Sequence, residues 1–142
     1  MLESEVGDLA GMHIGVWGLA FKAGTDDIRD SLALRILEDL SLRGARTTVF
    51  DPAVHVAQLP PGSRLVSTAL EATDADALLV LTEWAHFSQI NPASYADRLR
   101  LGVVIDGRNI LESERVVAAG LRYRGVGRAT PASREPFVVA TA

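Results

Sequence analysis

The first apolar segment, HIGVWGLAF (residues 13–21), has the length and composition of a short buried strand that runs into glycines. The following segment changes to a period of about 3.6 residues. Its apolar positions are Ala33, Ile36, Leu37 and Leu40. Ser31 is a favourable N-cap for this helix, and Gly44 is favourable just after its end. A strand at TTVF (residues 47–50) follows, so the pattern predicts a βαβ unit with parallel strands.

The same alternation continues along the rest of the apolar pattern. Further strands are predicted at SRLVS (63–67), ALLVLT (77–82), GVVID (102–106) and LRYRGVG (121–127). Further helices are predicted at TALEATD (68–74), at 84–99 with a turn at Asn91-Pro92, and at ESERVVAA (112–119) before Gly120. Repeated strand and helix alternation predicts an α/β fold, a three-layer, doubly wound, mostly parallel sheet of the Rossmann-like type.

The chain of 142 residues has the length of one ordinary domain. LESEVGDLA (residues 2–10) is predicted to be the end of a helix that Gly11 stops. Residues 12–127 then form the domain, and residues 128–142 lose periodicity and are predicted to be an irregular tail.

Charge and composition exclude several kinds of ligand and site. A net charge of −4 and a pI near 5.3 argue against nucleic acid, because a phosphate-binding surface needs a basic excess. The sequence has no cysteine, which excludes disulfides, thiolate metal sites and thiol chemistry carried by this chain. No apolar run is long enough for a membrane span and no signal pattern opens the chain, so the expected location is the cytoplasm.

The unusual polar residues follow predicted strands. In doubly wound sheets, ligands bind beyond the carboxyl ends of the strands. The residues at those ends are Phe21 and Lys22 with the acidic loop, Asp51, Glu83-Trp84, and Asp106-Gly107-Arg108-Asn109. The sequence therefore predicts one ligand site at this edge.

The glycines of GVWG (residues 15–18) do not have the spacing of the G-x-G-x-x-G dinucleotide fingerprint, and the next helix begins only near Ser31. A pyrophosphate on that helix N-terminus is therefore not expected. The alternative is that a strand-end glycine gives Trp17 room to pack.

Lys22 lies directly after an apolar strand and beside Phe21, where its ammonium group could bind a phosphate or a sugar hydroxyl. Pairing with Asp26 or Asp27 is the alternative. Asp26 or Asp27 is predicted to cap backbone N–H groups, and the two aspartates are predicted to order the loop. Arg29 is either an anion clamp or their ion-pair partner.

Three other strand ends offer candidates. Asp51 precedes Pro52 and is predicted to form a turn rather than to bind a ribose. Glu83-Trp84 with Phe87 is predicted to form an aromatic lid. Arg108 could bind an anion in bidentate fashion, or it could pair with Asp106. The three histidines stand singly, so no metal site is expected.

Five segments in order resemble the C-terminal domain of the UDP-glucose/GDP-mannose dehydrogenases. They are GLAFKAGTDDIRDS, RGARTTVFDP, ADALLVLTEWAHF, VVIDGRNIL and GLRYRGVG, and the resemblance covers about residues 11–127. The TEWxxF pattern, Thr82 to Phe87, is most similar to the UDP-glucose 6-dehydrogenase branch.

The resemblance implies an enzyme that oxidises the 6-hydroxymethyl group of a UDP-sugar to a carboxylate with NAD. It implies that Phe21, Lys22 and Arg108 contact the UDP-sugar and that Arg29 reaches toward NAD. Residues 1–11 would be the tail of the helix that links this domain to an N-terminal NAD-binding domain and that supports homodimerisation.

The family's catalytic cysteine and N-terminal glycine fingerprint are missing from this sequence. We therefore expect the chain alone to be inactive, with NAD bound mainly by a catalytic N-terminal domain or a separate partner chain. Two alternatives stay open at this point. The chain could be a non-catalytic interaction module whose Leu2, Val6 and Leu9 face a partner, or a solitary nucleotide-binding domain.

Overall fold

A computed structural model describes residues 2–29 and 31–126, so the predicted tail from residue 128 lies outside the described residues. The strands are β1 (His13–Trp17), β2 (Arg46–Phe50), β3 (Ser63–Leu65), β4 (Ala77–Val80), β5 (Val103–Asp106) and β6 (Arg122–Gly125). The helices are α1 (Leu2–Val6), α2 (Leu32–Leu42), α3 (Ala69–Ala72), α4 (Ala85–Gln89), α5 (Ala93–Ala96) and α6 (Ser113–Ala118).

The six strands form one sheet in the order β3-β2-β1-β4-β5-β6, and all five neighbouring pairs are parallel. The chain reverses its direction of winding between β1 and β4, which places the topological switch point at the centre of the sheet. The predicted doubly wound α/β architecture is confirmed.

Different cores cover the two faces of the sheet. One is largely aliphatic, with α1 and α2 packing on Ile14, Val16 and Leu79. The other contains the buried aromatic residues: Trp17 stacks on Phe87 with ring centroids 5.2 Å apart, and Tyr95 meets Trp17 edge-on at 5.1 Å. Burial on both faces explains why β4 and β5 are continuous apolar runs in the sequence.

The predicted limits of α2 are confirmed. The Ser31 hydroxyl accepts a hydrogen bond from the Leu34 N–H at 3.4 Å, as an N-cap does, and Gly44 has a φ of 87° just beyond the helix. The turn predicted at Asn91-Pro92 also separates α4 from α5, because the Asn91 side chain accepts a hydrogen bond from the Ala93 N–H.

The N-terminal helix is shorter than the sequence analysis predicts. It ends at Val6, because Gly7 takes the left-handed conformation (φ 81°) that closes a helix, whereas Gly11 lies in a later turn. The predicted helical stop at Gly11 is therefore wrong.

The alternative in which Leu2, Val6 and Leu9 face a partner does not fit the structure. Val6 and Leu9 are only 5% and 3% exposed and belong to the aliphatic core of this chain, while Leu2 packs against that core.

Candidate functional site

The carboxyl ends of the four central strands β2, β1, β4 and β5 lie side by side at one edge, which we call the carboxyl edge. The loops that follow them carry the residues singled out from the sequence. The described loop residues are 18–29 after β1, 51–54 after β2, 81–84 after β4 and 107–109 after β5. The fold therefore gathers these loops at one place.

Two glycines let the β1 strand and its loop approach their neighbours closely. A Cβ on Gly15 would lie 2.0 Å from the Ala72 carbonyl oxygen, so this glycine makes room for α3 rather than for Trp17. Gly18 has a φ of 104°, and a Cβ there would lie 2.5 Å from the Thr82 side chain. GVWG thus serves packing in this fold.

Asp51 anchors the start of the loop after β1. Its buried carboxylate accepts hydrogen bonds from the N–H groups of Leu19 (2.8 Å) and Ala20 (2.9 Å), and from the Trp84 indole at 3.3 Å. It also accepts from the Ala53 N–H at 2.8 Å, which forms the expected turn. All of this places Asp51 beneath the loop, with 1% of its surface exposed.

The loop of residues 21–29 closes on itself. The Phe21 N–H donates to the Asp27 carbonyl at 2.6 Å, and the Asp27 carboxylate accepts from both the backbone and the guanidinium of Arg29. The Arg29 hydrogen bonds lower the pKa of Asp27 to about 2. Of the alternatives for Arg29, the structure shows the ion pair with Asp27.

Phe21, Lys22 and Asp26 are exposed side chains of this loop, Phe21 at 57%. Within residues 2–29 and 31–126, no carboxylate forms an ion pair with Lys22, so the structure does not show the alternative pairing with Asp26 or Asp27. The ammonium group of Lys22 stands open to solvent and to a ligand.

Asp106 lies at the end of β5 and is fully buried. Its carboxylate accepts hydrogen bonds from the Arg108 N–H (3.1 Å), the Leu111 N–H (2.8 Å) and the Tyr123 hydroxyl (2.9 Å). The Arg108 guanidinium is not among these donors and bonds to Glu83 instead. The alternative ion pair of Arg108 with Asp106 is wrong.

The Glu83 carboxylate bonds to the Arg108 guanidinium and to the backbone of the loop after β1. One oxygen of its carboxylate accepts from the Arg108 guanidinium, and the other accepts from the Ala23 N–H at 3.2 Å. Partial burial acts to raise the pKa of Glu83, but these hydrogen bonds outweigh burial and the pKa lies below its ordinary value. Glu83 therefore joins the loop that carries Lys22 to the loop that carries Arg108.

The predicted aromatic lid is not what the structure shows. Phe87 is fully buried and stacks on Trp17 in the core, while Trp84 is half-buried and bonded to Asp51. Asp51 and Glu83 can be placed at strand ends from the sequence, but their contacts were not predicted. The feature of the sequence that indicates them is a carboxylate within three residues of the end of an apolar strand.

Two grooves lie away from these loops or beside them. One of about 750 Å³ lies between α2 and residues 58–61 and is lined by Leu34, Leu42 and Leu59. Another of about 340 Å³ lies on the α1 and α2 face and reaches Gly107. Neither groove is lined by Lys22 or Arg108.

Within the described part of the chain, no group of three His, Asp or Glu side chains is placed to hold a metal ion. None of its helices has both the length and the apolar character that crossing a membrane requires.

Comparisons with known proteins agree with the geometry. The family model "UDP-glucose/GDP-mannose dehydrogenase family, UDP binding domain" matches residues 15–113. UDP-glucose 6-dehydrogenase of Rhizobium meliloti is 36% identical over 86% of this chain and 29% of its own length. UDP-glucose 6-dehydrogenase YwqF of Bacillus subtilis is 35% identical over 88% of the chain and 29% of its own length. The chain thus spans less than a third of these relatives.

Solved structures show the same relationship. A UDP-glucose dehydrogenase from Pyrobaculum islandicum superimposes with a TM-score of 0.73 and 32% identity, over 90% of this chain and 28% of that one. An NDP-N-acetyl-D-galactosaminuronic acid dehydrogenase from Methanosarcina mazei superimposes with a TM-score of 0.77 and 28% identity, over 89% of this chain and 27% of that one. With the family model covering most of the described sheet, the chain belongs to the UDP-glucose/GDP-mannose dehydrogenase family as its C-terminal, UDP-binding domain.

Proposed function

We propose that this chain binds a UDP-sugar and forms part of an NAD-dependent UDP-glucose 6-dehydrogenase, which oxidises the sugar 6-CH₂OH group to a carboxylate. One observation carries the proposal: the loops of Lys22 and Arg108 meet at the carboxyl edge through the Glu83 carboxylate. This places two cationic side chains at the switch-point edge of an otherwise acidic protein.

Each predicted site residue has a role in the proposal. Lys22 and Arg108 bind the anionic diphosphate, for which their exposed positive groups are suited, and the exposed ring of Phe21 packs against the ligand. The carboxylate of the buried Asp106 holds the loop that carries Arg108, because it accepts hydrogen bonds from the Arg108 and Leu111 N–H groups.

The acidic part of the loop after β1 positions Arg29. Asp27 aims this side chain by its ion pair, and the neighbouring Asp26 is an exposed residue of the same loop. The Arg29 side chain is 87% exposed, which suits contact with a cofactor that another domain holds.

The oxidation itself needs groups that this chain does not carry, since it has no cysteine and no glycine fingerprint. We propose that a catalytic N-terminal domain or a separate partner chain supplies them and binds NAD, which accepts the hydride. Homodimerisation of the whole enzyme and a cytoplasmic location belong to the same proposal.

Calorimetry with UDP-glucose, UDP and NAD tests the proposal. We expect weak binding of both UDP species, with a Kd in the millimolar range because half of the site's walls belong to another domain. Lys22→Ala and Arg108→Ala should each reduce the UDP-glucose signal. Arg98→Ala, which removes an exposed positive charge outside the carboxyl edge, is the matched control and should leave the signal unchanged. A folded protein that responds to neither UDP species contradicts the proposal.

A further inference from the structure

Glu83 connects three strand ends of the carboxyl edge. It lies just after β4, and its carboxylate accepts one hydrogen bond from the loop after β1 and one from the loop after β5. The neighbouring Thr82 hydroxyl donates to the Ala20 carbonyl at 3.1 Å, and the Leu81 N–H donates to the Trp17 carbonyl at 2.8 Å. Residues 81–83 are thus fixed to the centre of the sheet.

We propose that Glu83 is a positioning residue for UDP-sugar binding, acting on Lys22 through the Ala23 N–H and on Arg108 through its guanidinium. The inference rests on the proposed function. It assigns to an acidic side chain a favourable effect on the binding of an anion, which is the opposite of what charge alone predicts.

The geometry leaves Arg108 available to a ligand. Arginine has five N–H donors, and Glu83 engages only the Nη2 group. No other acceptor among residues 2–29 and 31–126 contacts this guanidinium. The carboxylate therefore fixes the direction of the planar group while its Nε and Nη1 donors stay free for the diphosphate.

The hydrogen bond from the Ala23 N–H to Glu83 holds the backbone beside Lys22 in place, as the ion pair holds Arg108. Ala23 directly follows Lys22, and its N–H bond to Glu83 is a side-chain link from this part of the loop to β4. Ordering both loops before the ligand arrives lowers the entropy that binding must remove. Removing the carboxylate frees both cations to move independently.

NMR titration of the 142-residue chain with UDP-glucose tests the inference, with initial slopes of the shift changes as the measure of affinity. We expect Glu83→Ala to weaken binding about fivefold, as loss of a partly exposed ion pair allows. The affinity of Glu83→Gln should lie between those of Glu83→Ala and the unsubstituted protein. The single amide oxygen of glutamine can accept a hydrogen bond from the Ala23 N–H or from the Arg108 guanidinium, but not from both. Asp74→Ala removes the same charge from an exposed ion pair with Arg98 and should leave affinity unchanged.

A double-mutant cycle separates positioning from a general structural effect. If Glu83 acts through Arg108, the combined Glu83→Ala and Arg108→Ala change weakens binding less than the product of the two single effects. The inference is overturned, while the proposed function stands, if the loss of affinity in the double variant equals the product of the two single losses. It is also overturned if Glu83→Ala binds UDP-glucose as tightly as the unsubstituted protein or more tightly. No response from the unsubstituted protein overturns both.

Discussion

The two edges of the sheet use their carboxylates differently. At the amino edge, where the strands begin, Asp76 accepts from the Arg100 guanidinium at 2.7 Å and from the His13 N–H at 2.9 Å, and Asp74 pairs with Arg98. At the carboxyl edge, the buried Asp51 and Asp106 take almost all their hydrogen bonds from backbone N–H groups, the Trp84 indole and the Tyr123 hydroxyl.

The difference explains how an acidic protein keeps cations available for a ligand. Carboxylates that are satisfied by backbone donors hold the loops in place without neutralising a basic side chain. Lys22 therefore stays exposed, and Arg108 gives one donor group to Glu83. At the amino edge, Asp74 and Asp76 instead form ion pairs with arginines at the surface, as Asp27 and Glu83 also do in the exposed loops of the carboxyl edge.

The largest expected effect comes from the buried carboxylate at the end of β5. Asp106→Ala leaves two backbone N–H groups and the Tyr123 hydroxyl without their acceptor, and we expect a loss of about 4 kcal/mol in the free energy of unfolding. Urea denaturation measures it. Asp74→Ala at the amino edge is the control and should cost at most about 0.5 kcal/mol. Equal losses at both positions would remove the distinction between the edges.

The close approach of the β1 loop to β4 gives the next effect. Gly18→Ala places a methyl group 2.5 Å from the Thr82 side chain at a φ of 104°, so we expect a loss of about 3 kcal/mol. Gly24, which also has a positive φ but has open space around its Cα, is the matched control. Because its Ala variant carries only the backbone strain, it should cost about 1 kcal/mol in the same denaturation experiment.

A smaller effect is expected at the amino edge. Asp76→Ala removes the acceptor of the His13 N–H and of the Arg100 guanidinium, both near the surface, and should cost about 1 kcal/mol. Because this residue is far from the carboxyl edge, UDP-glucose titration of the variant should match the unsubstituted protein. Weaker binding would show that the two edges are coupled.

The smallest effect is a pH dependence at the same edge. Burial, with the charges of Arg46 and Arg100, lowers the pKa of His13 below 6.5 in the folded protein. The unfolded chain then binds more protons, so the stability present above pH 6.5 is lost as the pH falls through the folded pKa. The free energy of unfolding, measured at pH 7.5 and at pH 5, should show this loss, and the loss should be smaller in His13→Gln. An equal loss in His13→Gln would show that the pH dependence comes from other groups.

The sheet could be predicted from the sequence because strands buried on both faces are continuous apolar runs bounded by caps and glycines. The end of α1 could not, since Gly7 and Gly11 both take the left-handed conformation and the local sequence allows either of them to close the helix.

The carboxylate partners could not be predicted either. Arg108 is two residues from Asp106 in the chain, but Asp106 bonds to Tyr123 on β6, and Arg108 meets Glu83 because β4 lies beside β5. Such contacts depend on strand order, which local patterns do not contain.

Backbone NMR mapping of UDP-glucose binding tests most directly the claim that the carboxyl edge is the nucleotide site. We expect shift changes for the amides of residues 21–29 and 107–109, while the amides of His13, Asp76 and Arg100 stay unchanged. Changes centred on the amino edge, or none in either region with the protein folded and the ligand at millimolar concentration, would contradict it.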